Sequence, residues 1–246
     1  MAPWAIKKMF EQDFSESQDA NLAISQEDLK FMNITSNGIH KADDGHYEIP
    51  LPLRNENVHL PCNKKHAEAR LKQLSRRFAI DSKYKEDYMT FMQKMLEEGH
   101  AEKAPERYET LRYIPHHGVY HPKKPDKLRV VFDCSAEFQG HSLNRHLLQG
   151  PDLTNSLVGV LCRFREEPVA FACDIEGMFH HVHVNKEHRD LLRFLWWEHG
   201  DTSKEPTKYR MTVHLFGATS SPGCANLALR TAADDGINEF GVEAAH

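Results

Sequence analysis

Apolar residues recur every three or four positions between residues 63 and 99, and two helices are predicted there. Asn63 stands where an N-cap belongs, and Leu71, Leu74 and Phe78 share one face of a helix running to about Phe78. Tyr84, Tyr88, Phe91, Met92, Met95 and Leu96 form the stripe of the next helix, which Gly99 ends as a C′ residue. Residues 47–53 alternate with Pro50 and Pro52 on one face, which predicts an edge strand, since proline cannot donate to a ladder. Residues 112–120 read as a strand, 121–126 as a turn and 128–133 as the returning strand. A helix is expected after Asp152, with Leu153, Leu157, Leu161 and Phe164 on its buried side. Residues 169–173 are almost purely apolar and end at Asp174, the pattern of a strand buried on both faces or at a sheet centre. Two more strand-like runs, 191–197 and 209–216, flank a polar hairpin loop at 198–208. Residues 217–222 then open a helix to about Ala233, with Pro222 near its first turn. Residues 1–45 are polar with short apolar islands such as 29–32, and predict a loosely packed leader with one or two short helices. Helices and strands interleave without a regular βαβ period, so the class is α+β.

Composition narrows this picture only in part. The 246 residues are 40% hydrophobic and 27% charged, an ordinary globular mixture able to build a sizeable core. No run approaches the roughly 20 apolar residues of a membrane helix, and no signal peptide is read at the start; an intracellular location is expected. Five cysteines, an odd number at long spacings without a C-x-x-C, predict reduced and mostly buried thiols. Cys62 and His66 have zinc-ligand spacing, but no second close pair completes a site. The net charge of −5 does not advertise nucleic-acid binding. Basic residues nevertheless cluster at Lys123, Lys124, Lys127 and Arg129, and again from Lys64 to Arg77. The bland alternative for either run is a solvated face.

Asp174 carries the first chemical signal. An ionised carboxylate ending a buried apolar strand is costly unless a cation offsets it, and a hard divalent ion prefers carboxylate oxygens. An aspartate capping a turn is the alternative. The run from Asp174 through Glu176, Phe179 and His183 to Val184 resembles motif A of reverse transcriptases. That resemblance implies that Asp174 and the backbone carbonyl of Ile175 bind catalytic Mg²⁺, with two ions in a complete enzyme and Mn²⁺ as a possible substitute. It implies that Phe179 is a steric gate excluding a ribose 2′-hydroxyl by clash. Residues 127–133 look like the fingers strand whose Lys127 and Arg129 grip the incoming triphosphate, a task suited to a planar guanidinium. Residues 216–222 resemble motif B, in which Phe216 and Gly217 meet the nucleotide and Ser221 and Pro222 lie under the template. Many members of that family have glutamine where Phe216 stands, a departure that removes a polar contact to the sugar.

Residues 113–120, 129–136, 142–144, 148–153 and 193–197 look like the BEL/Pao group of LTR retrotransposons. The resemblance implies a right-hand polymerase fold: a leader at 1–62, fingers and first helices at 63–167, palm motif A at 168–190, a second fingers segment at 191–220, and an incomplete palm helix at 221–246. It further implies RNA- and DNA-directed DNA synthesis on a template-primer with dNTP. The implied parent polyprotein also carries a protease, ribonuclease H and integrase, and acts in the cytoplasm within virus-like particles, with no membrane partner. Asp234-Asp235 is not the second catalytic pair of that family, because it sits in a helical context with Ala232 where an aromatic residue belongs. The expected reading is therefore a polymerase fragment, ending before motif C and inactive alone. A co-opted remnant that binds nucleic acid or protein without catalysis is the alternative. His180, His181 and His183 invite a metal reading, but adjacent strand residues point opposite ways, and the expected role is lining the sheet.

Overall fold

The computed structural model describes residues 24–106, 111–121, 124–166 and 168–241. Helix α1 (Gln26–Gly38) is capped by the Ser25 side chain and leads into strands β1 (His40–Lys41) and β2 (Tyr47–Ile49). Helices α2 (Lys64–Ile80) and α3 (Ser82–Glu97) follow, then β3 (Ala101–Lys103), and the antiparallel ribbon of β4 (His116–His121) and β5 (Lys124–Phe132). Short helices α4 (Leu143–His146) and α5 (Leu157–Arg163) precede β6 (Val182–Val184), β7 (Arg193–Trp196) and β8 (Thr207–Met211), and α6 (Ser221–Phe240) comes last. Among the described residues no helix is long and apolar enough to cross a membrane.

The helix predictions hold where the apolar stripe found a partner. Helix α2 buries Ala67, Leu71, Leu74 and Phe78, and α3 buries Tyr84, Tyr88, Met92 and Met95. Gly99 takes a φ of +72°, as the end of α3 requires. Their facing side chains close on the β7 tryptophans. Phe78 lies 5.4 Å from Tyr88, and Tyr88 stacks on Trp196 at 5.4 Å and 20°. Asn63 precedes α2 but does not cap it. Its amide instead clasps Tyr113, donating to the carbonyl at 2.8 Å and accepting from the N–H at 2.7 Å.

Two three-stranded sheets, ordered β1-β2-β6 and β3-β8-β7, are stitched into one surface. The chain leaving β8 runs along β6: Val184 N donates to Thr212 O at 2.7 Å and His214 N to Val182 O at 2.9 Å. Strand β2 is central and runs parallel to β6, with Glu48 opposite His183. It is therefore not the edge strand that its prolines suggested, because it stops at Ile49, before Pro50 and Pro52 need a ladder.

Four further expectations are corrected. Residues 1–23 lie outside the described residues; the rest of the expected leader carries one helix, mostly exposed but anchored through its buried Phe31 and Thr35. Phe31 is fully buried in a second core with Ile49, Val182, Cys224 and Ala225, and Gly150 and Gly223 leave no room for a Cβ beside its ring. Residues 169–174 form no strand and are exposed, Phe171 at 86%. Among the described residues no strand pairs with this run, so its backbone stays with water. Helix α5 forms after Ser156, yet Leu157, Leu161 and Phe164 are exposed, since none of the described residues covers that stripe. Cys62, Cys162 and Cys173 are exposed, and only Cys134 and Cys224 are buried. The turn residues 122–123 lie outside the described residues.

Candidate functional site

A cleft of about 650 Å³ opens between α3, β5 and the segment preceding β6. Its lining includes Lys127, Arg129, Glu176, His180, His181 and Phe216. Strand alternation explains the two cations. Leu128, Val130 and Phe132 turn into the core, so Lys127 and Arg129 share the opposite, exposed face, about 7 Å apart along the strand. Among the described residues neither is held in an ion pair. The cleft thus presents two free positive heads.

The far wall is aromatic. Gly177 takes a φ of +63°, and the chain then makes a single 3-10 turn, Met178–His181. That turn puts Phe179 against Phe216, ring centroids 4.5 Å apart, with the Phe179 ring also packed on the second core. His180 meets the His100 ring at 4.7 Å and the edge of Phe216 at 6.2 Å. Burial first, then the neighbouring His100, His181 and Lys94, push the His180 imidazole down to about 4, so it is neutral at physiological pH.

The loop carrying Phe216 is clamped to β5. Gly217 has a φ of +111°, and a Cβ there would lie 2.0 Å from the carbonyl oxygen of Phe132. Asn144 holds the loop from the other side: its amide donates to Gly217 O at 2.9 Å and to Ser135 Oγ at 2.8 Å, and accepts from Thr219 N at 3.0 Å. Sequence reading did not single out Asn144. Its only signal was a place within the 142–144 motif, and the partner it bonds lies 73 residues away.

The predicted site residues thus separate into groups. Lys127, Arg129 and Phe216 meet in the cleft, and Phe179 touches it through Phe216. Asp174 and Ile175 are exposed and lie just outside the lining, which begins again at Glu176. Ser221 is fully buried and donates its hydroxyl to Leu215 O at 2.7 Å, so it braces the turn rather than facing a template; Pro222, beside it, is exposed. Asp234 and Asp235 lie within α6, where Asp235 accepts a hydrogen bond from the Tyr47 hydroxyl at 2.5 Å. Among the described residues, the one group of three or more His, Cys, Asp or Glu donors close enough to share an ion is Asp44, His46 and His183, which excludes Asp174. Asp174 and a carbonyl alone do not fit a two-ion magnesium centre.

No family model matches the chain, and no curated protein matches it. Among solved structures it is similar to a foamy viral protease–reverse transcriptase (dRH) determined in complex with double-stranded DNA, at 18% identity and a TM-score of 0.45. The similarity covers 65% of this chain and 24% of that one, so the chain spans about a quarter of that protein's length.

Proposed function

We propose that the chain is the nucleotide-gripping portion of a retroelement reverse transcriptase of BEL/Pao type. The observation that carries this reading is the convergence of Lys127, Arg129 and Phe216 in one cleft, from segments nearly 90 residues apart in sequence. Two unpaired cations on one strand face suit the oxygens of a triphosphate, which Arg129 can engage with two parallel N–H donors. Phe216, backed by the tilted Phe179 ring 4.5 Å away, supplies an apolar surface for the sugar, against which an added 2′-hydroxyl would lack a partner. Template-primer binding, and the protease, ribonuclease H and integrase of a parent polyprotein, belong to the same proposal.

Magnesium enters the proposal only as an ion carried by the nucleotide, with Asp174 as one carboxylate beside it. No catalytic step is assigned through it, because the donors present do not complete the site. The expected chemistry of this chain is therefore binding without primer extension. Isothermal titration of the purified chain with dTTP tests the cleft: dTTP binds, thymidine does not, and Arg129→Ala weakens dTTP roughly tenfold or more. Equal affinity of wild type and variant removes the triphosphate assignment. Metal-dependent primer extension that is lost in Asp174→Ala would overturn the non-catalytic reading while leaving the cleft intact.

The exposed Asp174 also favours a second reading, a co-opted module that binds nucleic acid or protein with its chemistry lost. Retention of dTTP discrimination against thymidine separates the two, since a module that recognises only a macromolecule has no use for a triphosphate grip.

A further inference from the structure

The β1–β2 hairpin carries a second constellation, on the other side of the histidine-rich turn from the nucleotide cleft. Its loop is rigid. Ala42 N donates to His46 O at 2.8 Å, Gly45 N to Ala42 O at 2.9 Å, and His46 N to the Asp44 carboxylate at 3.0 Å. Parallel pairing then brings the start of β2 alongside β6, with Tyr47 opposite Val182 and Glu48 opposite His183. The His46 ring is thereby stacked near two β6-side histidines, 5.8 Å from His181 and 5.1 Å from His183.

One donor atom each from Asp44, His46 and His183 lies within 4.8 Å of the others. The Asp44 carboxylate is 3.4 Å from His46 Nδ1 and 3.7 Å from His183 Nε2. A tetrahedral ion with Zn–N and Zn–O bonds of 2.0–2.2 Å needs donors about 3.3–3.6 Å apart. His46 Nδ1 and His183 Nε2 lie at or near that spacing from the two different oxygens of the carboxylate, Oδ1 and Oδ2 respectively. A further observation concerns the same ring. The His46 imidazole is about 41% exposed, but its Nδ1 atom is shielded from solvent and makes no well-formed hydrogen bond, although buried polar atoms are normally satisfied. That atom faces the Asp44 carboxylate at 3.4 Å, a separation that an ion between the two would use.

We infer that Asp44, His46 and His183 form a binding site for a divalent transition ion of the zinc class. Two imidazoles and one carboxylate are borderline donors that suit Zn²⁺, Co²⁺ or Ni²⁺ better than Mg²⁺ or Ca²⁺. Three protein ligands leave a fourth position for water. Such an ion ties the hairpin to β6 and fixes the stack on His181, whose Nε2 hydrogen-bonds Glu176 O at 3.0 Å and whose side chain lines the cleft. The site stands apart from the nucleotide assignment, since none of its ligands lines the cleft.

The test uses Co²⁺ alone, titrated into the full chain carrying Cys62→Ser, Cys162→Ser and Cys173→Ser, so that the exposed thiols contribute nothing. One equivalent is expected to bind, with the intense visible absorption of a tetrahedral centre and no thiolate charge-transfer band. His46→Gln and Asp44→Asn, both on the exposed hairpin, weaken binding at least about 100-fold, beyond the 10–100-fold cost of changing groups that only support a ligand. His199→Ala, a remote and exposed histidine, leaves it unchanged. Zn²⁺ raises the melting temperature of the parent and not of His46→Gln. Binding that is sub-stoichiometric, or equal in parent and His46→Gln, overturns the assignment.

Discussion

A methyl group on Gly217 would sit 2.0 Å from the Phe132 carbonyl oxygen, in a backbone whose φ of +111° already excludes most side chains. Gly217→Ala is therefore expected to cost roughly 2–3 kcal/mol or to displace the loop, read as a lower urea midpoint together with weaker dTTP binding. Asn144→Ala moves the same loop without strain, so its affinity loss exceeds its stability loss. The buried histidines give a second residue-scale expectation. Burial depresses the imidazoles of His116, His180 and His214 from an ordinary 6.5 to about 4. The unfolded chain takes up these protons first, so the stability due to the neutral rings is complete above pH 6.5 and declines as pH falls towards 4. Melting temperature should drop steadily across that window, above the range where carboxylates titrate. His116→Gln keeps an acceptor for Tyr88 and a donor for Leu195 O, and should flatten the slope. A profile level from pH 7 to 5 would count against all three assignments.

At the scale of elements, an ionic network adds to the backbone bonds that join the sheets. Asp190 accepts from Arg193 at 3.0 Å and from Arg210 at 3.1 Å. Arg210 pairs with Glu102 at 2.7 Å, and Arg189 lies between Glu102 and Glu48 at 3.7 and 3.6 Å. Arg193 is almost wholly buried, so removing its counter-charge leaves an uncompensated cation. Asp190→Asn is expected to cost about 3–5 kcal/mol, measurable by chemical denaturation. None of this was visible in the sequence, because its partners come from four strands and the turn at 189–192. What was visible followed from local pattern. The stripe from Tyr84 to Leu96 marks α3, and the apolar run around Arg129 marks the returning strand, whereas the side that Arg129 faces comes from the structure. The short β3 escaped notice, since three residues hold too little pattern to separate from a loop. The Asp44–His46–His183 cluster leaves no local pattern, since the histidines nearest His183 in sequence, 180 and 181, are not part of it. Asp44 and His46 arrive through a parallel pairing that spans 135 residues.

At the scale of the molecule, the long apolar runs are not all used. The main core joins α2, α3, the β4–β5 ribbon and β7–β8, and the second core joins α1, β2, β6 and α6. The stretch from Leu157 to Ile175 belongs to neither. Leu157, Val158, Leu161, Phe164, Val169 and Phe171 are all exposed within 15 residues. Hydrophobicity predicted what this stretch would gain by burial, but burial needs a covering surface, and none of the described elements supplies one. Apolar surface concentrated in this way binds hydrophobic dyes and promotes association. The chain is accordingly expected to enhance anilinonaphthalene sulfonate fluorescence at native pH while near-ultraviolet circular dichroism still reports the packed Tyr88–Trp196 cluster, which separates a local exposed patch from a molten globule. Leu157→Ser with Phe171→Ser should lower the dye signal severalfold and leave the melting temperature within about 1 °C, because both side chains already lie in water. A large loss of stability in that double variant would mean that the stretch is buried, and that residues 169–174 form the packed strand their sequence predicts.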